Sequence, residues 1–412
     1  MRVVIMNSLY SPDIIGGAEI STQILAETLS KRGMEVSVVT VGAQSRSAGV
    51  IQDTVNGVDV IRLPHNNLYW LGDSKNKGSL SKVARRLIDI YNPLQIEEVR
   101  RVLRTIKPDL IHTQNLSGLG TGVWKVASEL NIPVVHTLRD YSLLSPMSTT
   151  NIHPMIKGLY KQLPMKFSRG VSAVIGISSH ILNKHVQSGL FAPSNKYVIP
   201  NAVDGDIRVT PKEVNTGSLV IGCFGRLESE KGVQYLVEAV KKLPRDMVQK
   251  VYICGEGGMK EQLVKDCGSD DRFVFTGKVP PAEARRLMGE VDISIVPSTW
   301  DEPFGRVIIE SYQVGTPVFA STVGGIPDVV TKPEDCLFKP GDADAIAHSI
   351  RSYFGKTKEQ KEELHALCLQ HCQLFTTSAL AARHMEVYSL ILGTVLESPR
   401  TEAAQTMDAI NA

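Results

Sequence analysis

The sequence predicts an α/β protein made of two Rossmann-like halves, and three observations carry that reading. Short apolar runs alternate with amphipathic helical patterns from the first residue onward, as parallel sheets layered with helices require. A polar stretch, "KYVIPNAVDGDIRVTPKEVNTGS", containing Pro200, Gly205, Pro211 and Gly217, interrupts the alternation. The pattern then restarts, which places a second domain of the same kind behind a junction near residue 204.

In the first half the expected strands are "VVIMN", "VSVVT", "VDVIRL", "DLIHT", "PVVHTL" and "AVIGIS". In the second they are "LVIGCFGRL", "VYICGEG", "RFVFTGK", "DISIVPS" and "PVFAS". Each half opens with an apolar strand, a glycine-containing loop and then a helix, so backbone N–H groups and a helix N-terminus stand at the mouth of each sheet. Two such mouths facing each other would make a cleft. From about Lys358 a helical pattern runs to Leu396, interrupted near "LFTTS". The last residues lack a periodic apolar face and are expected to fray.

Composition narrows the class. The 412 residues are 42% hydrophobic and 21% charged, enough to bury a core in two or three domains. A net charge of +2 and a pI near 8.1 lack the electrostatic footprint of a nucleic-acid binder, and none is expected as a partner. "MRVVIMNSLY" reads as a first strand and not as a signal peptide. No apolar run reaches the roughly 18 to 20 residues of a spanning helix, so a cytoplasmic protein is expected. The six cysteines all fall in the second half without CxxC spacing and read as reduced thiols; Cys368 and Cys372, one turn apart, suggest a shared helix face.

Three places carry candidate chemistry. Gly16 and Gly17 precede a helix with apolar positions Ile20, Ile24, Leu25 and Leu29. They would let an anion approach the backbone, or they serve chain geometry alone; the spacing is not that of a dinucleotide fingerprint. In "GRLESEKGVQYL", Arg226 follows a strand and Lys231 opens the next helix. A diphosphate suits such a pair, because Arg forks onto two oxygens and Lys adds a point charge; solvated surface cations are the alternative. Third, "WDEPFGRVIIE" holds Glu302 and Glu310 on either side of a turn and a helix start. They would lie on the order of 10 Å apart by helical rise, beyond the roughly 5 to 9.5 Å of glycosidase acid pairs. Two hydroxyl-bearing parts of an extended ligand such as a nucleoside diphosphate sugar fit that separation, although acids around a helix start also serve as dipole complements.

Taken together with "GGAE", "VIPNAVD", "CGEGG", "VPSTWDEPFGRVIIESYQVGTPVFASTVGGIPDVV" and "CLFKPGD", in this order over about residues 1 to 370, these segments resemble the retaining glycosyltransferases of family 4. The resemblance implies the GT-B architecture, with parallel sheets of two Rossmann-like domains facing across a cleft. It implies an acceptor domain over 1–203, a nucleotide-sugar donor domain over 204–375, and a C-terminal helix over 376–396 returning to the first domain. A flexible tail over 397–412 completes the expected layout.

Residue by residue, Arg226 and Lys231 resemble the pair that binds the donor diphosphate, and Glu310 the ribose-binding carboxylate. Glu302 resembles the acid at the transferred sugar, and Phe304 and Gly305 the backbone against the donor. Gly17, with Gly16 beside it as a further donor-binding candidate, resembles the loop residue bordering the diphosphate and the acceptor site. The family implies no cofactor and no metal, with the nucleoside diphosphate sugar as substrate, a saccharide or lipid-linked acceptor, and polysaccharide or glycolipid synthesis as the setting. Its mechanism would be retention of anomeric configuration, the leaving phosphate taking the acceptor proton.

One departure stands out. Many relatives carry a His where this chain has Arg139, just before Asp140, and the resemblance makes Arg139 and Asp140, with Glu302, the catalytic candidates. Arg139 cannot act as a base at neutral pH; at the reacting centre it would stabilise a phosphate or an acidic sugar. His136 reads as an interior strand residue. The departure keeps open a non-catalytic sugar-nucleotide-binding partner subunit, and the shared scaffold keeps open a sugar-nucleotide epimerase. The donor base and sugar are not separable at this level.

Two basic stretches with apolar interleaving, "SKVARRLIDIYNPLQIEEVRRVLRTIK" and "HPMIKGLYKQLPMKFSRG", raise peripheral membrane contact. In the second, Lys157, Lys161, Lys166 and Arg169 alternate with Met155, Leu159, Met165 and Phe167; a solvated helix face is the alternative. Glu97 and Glu98 weaken the first.

Overall fold

The computed structural model describes residues 1–145, 154–205, 207 and 212–394, without the side chains of 75, 76, 79, 154–157 and 159. The expected tail over 397–412 and the side chains of Met155, Lys157 and Leu159 lie outside the described residues. Two compact units result: Met1–Ala202 with the chain from Thr377 onward, and Val203–Thr376.

The first unit holds strands β1 (Arg2–Met6), β2 (Glu35–Val41), β3 (Ile51–Val55), β4 (Val58–Leu63), β5 (Leu110–Thr113), β6 (Val134–Leu138), β7 (Ala173–Gly176) and β8 (Asn195–Val198). Its helices are α1 (Gly17–Lys31), α2 (Ser79–Ile90), α3 (Pro93–Ile106), α4 (Gly122–Glu129), α5 (Pro154–Ser168) and α6 (Ser179–Gln187). The sheet order is β3-β4-β2-β1-β5-β6-β7-β8, parallel except where β3 pairs antiparallel with β4. Central strands read as continuous apolar runs because helices cover both faces; Val3, Val4, Ile5 and Met6 are all fully buried.

The second unit contains β9 (Leu219–Phe224), β10 (Val248–Cys254), β11 (Phe273–Gly277), β12 (Ile293–Val296), β13 (Val318–Ser321) and β14 (Leu337–Phe338). Between and after them run α7 (Val233–Lys241), α8 (Lys260–Cys267), α9 (Pro281–Glu290), α10 (Arg306–Gln313), α11 (Pro333–Cys336), α12 (Ala343–Phe354) and α13 (Lys358–Cys372). The all-parallel order β11-β10-β9-β12-β13-β14 is the doubly wound 3-2-1-4-5-6 arrangement.

The last helix, α14 (Thr377–Leu392), belongs to the first unit. It buries Leu380, Ala381 and Tyr388 in the same core as Leu25, Leu29 and Val38, and the Tyr388 hydroxyl lies 2.6 Å from His112 Nδ1.

Strands β3, β8 and β14 go unpredicted from sequence for one reason. All three lie at sheet edges; β3 and β8 are mostly exposed, and β14 is two residues long, so none presents the apolar run that marks a central strand. The six cysteines are free and buried. Among the described residues no helix is long and apolar enough to cross a membrane.

Candidate active site

In open parallel sheets ligands bind beyond the carboxyl ends of the strands, where strand order reverses. In the second unit that point lies between β9 and β12, so the loops after these two strands should carry the site. They hold Arg226 and Lys231, and Ser298 to Gly305, respectively.

The loop after β9 is fixed by close backbone approach. Gly232 adopts φ +70°, and a Cβ there would meet the Pro297 carbonyl oxygen at 1.9 Å. The Thr299 amide donates to the Glu230 carbonyl at 2.9 Å, tying this loop to the one after β12. Lys231, in a short 3₁₀ turn, is thereby brought against Glu302, and the two side chains form an ion pair. Ser298 Oγ, buried, donates to the same Glu302 Oε1 at 2.9 Å, and the Trp300 ring lies 5.6 Å from the Lys231 ammonium. The Glu302 backbone is held as well: its carbonyl accepts from Gly325 N–H at 2.7 Å, and a Cβ at Gly324 would meet that oxygen at 2.2 Å. Ser298 and Trp300 escape sequence reasoning, since nothing in their spacing marks them.

The other expected donor residues lie on the same elements. Gly305 caps α10 at φ +94°, a conformation that glycine adopts without strain. The Phe304 side chain is buried, edge-on to Phe375 at 6.1 Å, so the backbone is what Phe304 can offer a ligand. Glu310, one turn into α10, accepts from Arg306 Nε at 3.2 Å; Arg306 is a further cation that the sequence reading did not single out. Arg226 is largely exposed, its guanidinium 3.8 Å from Glu230.

The corresponding reversal in the first unit lies between β1 and β5. The amide of Gly16 donates to the Glu19 carboxylate at 2.8 Å, so in this state the anion at the N-terminus of α1 is the chain's own, and Gly17 is the first helical residue. Burial pushes the Glu19 carboxyl up, opposed by the Gly16 amide and by the charge of Arg139. Arg139 follows β6 and donates from Nε to Gln114 Oε1 at 2.5 Å and from Nη1 to Asn201 Oδ1 at 2.6 Å. Gln114 Oε1 also accepts from Thr22 Oγ1 at 2.7 Å. A chain of neutral groups thus orients the guanidinium. Asp140 accepts from Asn115 Nδ2 at 3.0 Å and from Ser142 N at 2.8 Å, bonds that shape its own turn.

His136 is an interior residue: it stacks on Phe191 at 5.4 Å, and burial drives its pKa down to about 3. No His, Cys, Asp and Glu cluster suited to a metal occurs among the described residues.

Comparison with known proteins identifies the family and the fold. Residues 15–206 match the family model described as Glycosyltransferase Family 4, and residues 208–365 the model described as Glycosyl transferases group 1. An uncharacterized 42.6 kDa protein of the Klebsiella pneumoniae cps region is 34% identical, over 80% of this chain and 87% of that protein. Among solved structures, sucrose-phosphate synthase from Thermosynechococcus elongatus superposes with a TM-score of 0.72 at 20% identity, covering 95% of this chain and all of that one. HepE of Anabaena, solved with UDP, superposes with a TM-score of 0.68 at 22% identity, covering 94% of this chain and 100% of its own. At these identities the two structures attest the shared GT-B fold.

Proposed function

Because the chain belongs to glycosyltransferase family 4, we propose that it moves a sugar from a nucleoside diphosphate sugar to an acceptor hydroxyl with retention of configuration, in the synthesis of a polysaccharide or glycolipid. The observation that carries this reading is the Lys231–Glu302 pair at the strand-order reversal of the second unit. A lysine ammonium has three N–H donors. Lys231 can keep one on Glu302 and turn the others to the phosphate next to the sugar.

Both contacts on Glu302 fall on Oε1, which leaves Oε2 to accept from hydroxyls of the transferred sugar. Arg226 and Lys231 would neutralise the charge that builds on the departing diphosphate, the kind of fixed electrostatic help that counts most as the bond breaks. The leaving phosphate would then take the acceptor proton. Glu310 is assigned to the ribose diol, which would compete with Arg306 for the carboxylate. HepE's complex with UDP supports a nucleotide of this class. Arg139, Asp140 and the Gly16–Gly17 turn are assigned to the acceptor-domain side of the reaction, without a bound metal.

The test is to incubate the protein with UDP-, GDP- and ADP-hexoses and candidate saccharide or lipid-linked acceptors, with and without EDTA. Acceptor-dependent release of one nucleotide, unaffected by EDTA, and a product whose anomeric configuration by NMR equals the donor's are the expected results. An inverted product overturns the retaining mechanism. A changed free sugar without acceptor identifies an epimerase instead, and nucleotide binding without turnover identifies a non-catalytic subunit.

A further inference from the structure

Strand β3 is hard to explain by burial. It pairs antiparallel at the edge of an otherwise parallel sheet, and its side chains are mostly exposed. What it touches is more telling. Arg62 of β4, opposite Ile51 of β3, is 7% exposed. Its Nε donates to Asp53 of β3 at 3.1 Å, Nη1 to the Tyr10 carbonyl at 3.2 Å and Nη2 to the Ser11 carbonyl at 2.6 Å. Asp13 Oδ2 lies 3.7 Å from Nη1, and the Asp13 amide donates to the same Tyr10 carbonyl at 3.0 Å. The guanidinium thus closes over a backbone turn in the segment between β1 and α1.

The other end of the β3–β4 hairpin reaches the helix itself. Asn56 and Gly57, both at positive φ, make its two-residue turn. Asn56 Nδ2 donates to Glu27 Oε1 of α1 at 2.8 Å, and Ser30 Oγ of α1 donates to the Gly57 carbonyl at 3.4 Å. The hairpin therefore holds α1 along its length and, through Arg62, the segment that leads into it. Between these holds lie Ile14, Ile15, Gly16 and Gly17, all exposed. No core packing fixes an exposed turn, so its flanks must. On the helix side Glu19 takes the Gly16 amide; on the sheet side the buried fork of Arg62 takes the backbone at Tyr10 and Ser11.

A guanidinium is suited to this place, because its planar set of donors can serve carbonyls and carboxylates together, whereas an ammonium is a point charge. Its burial is offset by the charges of Asp53 and Asp13 and by the two carbonyl bonds. Resting on the assignment of the Gly16–Gly17 turn to the acceptor-domain side of the reaction, we propose that Arg62 is a positioning residue for sugar transfer. It fixes the segment before α1, and with it the amides of that turn. Strand β3 serves it as the carrier of its partner, Asp53.

The experiment compares the full-length wild type with Arg62→Lys, Asp53→Ala and Val174→Ala. The last removes buried apolar volume from β7, distant from Arg62 in the sheet order, and controls for lost stability alone. Hydrogen exchange by mass spectrometry follows the peptide over residues 10–18, and kcat is measured with whichever of the UDP-, GDP- and ADP-hexoses the wild type uses. Arg62→Lys should speed exchange of that peptide about tenfold and lower kcat about tenfold, while keeping the thermal stabilisation that nucleotide gives. Asp53→Ala, on an exposed strand that tolerates truncation, should move both readings the same way by less. Val174→Ala should lower the melting temperature at least as far and change neither. An Arg62→Lys peptide that exchanges like the wild type overturns the proposal, as does a fall in kcat no larger than that of Val174→Ala. Should Arg62→Lys fail to fold, unchanged exchange and kcat in Asp53→Ala overturn it instead. A wild type that transfers no sugar overturns the transferase reading, and exchange alone then decides whether Arg62 fixes the turn.

Discussion

The two strand-order reversals, one in each unit, share a topology and differ in chemistry. In the second unit the loops bring a cation and a carboxylate into direct contact, braced by a buried serine and an indole. In the first, a guanidinium is oriented by the neutral amides of Gln114 and Asn201, Gln114 in turn accepting from the Thr22 hydroxyl, with one buried acid, Glu19, near it. Placement at a sheet mouth is therefore common to both. What each mouth can hold is set by a few side chains: the Lys231–Glu302 pair is arranged to share its charges with a phosphate and a sugar, whereas the Arg139 network fixes one charge in place.

The largest effect should come from breaking the charged mouth. Glu302→Ala and Lys231→Ala are each expected to lower sugar transfer by roughly 10² to 10³-fold, the range for removing a fixed charge or donor at a reacting centre; kcat/KM with the identified donor measures it. Their double variant should lose less than the product of the two, because the pair acts as a unit.

Next comes the backbone that joins the loops of that mouth. Gly232→Ala places a Cβ 1.9 Å from the Pro297 carbonyl oxygen at a positive φ, and should cost the second unit roughly 2–4 kcal/mol. Urea denaturation followed through Trp300 reads it. A cost near zero would mean the loop yields freely and does not fix Lys231.

At the neutral mouth, Arg139→Gln should lower transfer by roughly 10- to 100-fold while leaving nucleotide-induced thermal stabilisation intact. Arg139→Lys should not rescue it, since lysine lacks the fork that spans Gln114 and Asn201. Loss of nucleotide binding in Arg139→Gln would erase the distinction between the mouths.

The smallest effect per group concerns acid. In the first unit burial lowers the pKa of His112, takes that of His136 to about 3, and takes His185 and His384 to about 4. In the second unit it takes His365 to about 3 and lowers His371. A histidine whose folded pKa is depressed binds more protons unfolded, so its contribution falls as pH drops below about 6.5 and continues to fall toward the folded value. The cost is about 1.4 kcal/mol per pH unit per fully buried histidine. Between pH 7 and pH 5 the first unit should weaken more steeply. Urea unfolding by tryptophan fluorescence in a Trp300→Phe background, where Trp70 and Trp124 both report on the first unit, tests the slope.

How much of this was legible in the sequence follows from distance along the chain. Arg226, Lys231, Glu302 and Gly305 sit in short loops directly after apolar strands, and glycine beside a charged group marks such loops. The network around Arg139 joins Thr22 to Gln114 and Arg139 to Asn201, separated by 92 and 62 residues, and no local pattern shows such pairings. Ser298 and Trp300 stand within the motif, but their roles depend on where the Lys231 loop packs. Helix α2 shows a different limit: Arg85 and Asp89 lie on its buried side while Leu80 and Leu87 are exposed, and its alternation of charged and apolar residues does not say which face turns inward.

The central claim is that the second unit's charged mouth holds a nucleoside diphosphate through Lys231. The most direct measurement is the melting temperature of the wild type and Lys231→Ala with UDP, GDP and ADP in metal-free buffer. A ligand that binds the folded state raises it in proportion to the logarithm of its concentration. The account predicts that one nucleotide stabilises the wild type and fails to stabilise the variant; equal stabilisation of both, or none by any nucleotide, would contradict it.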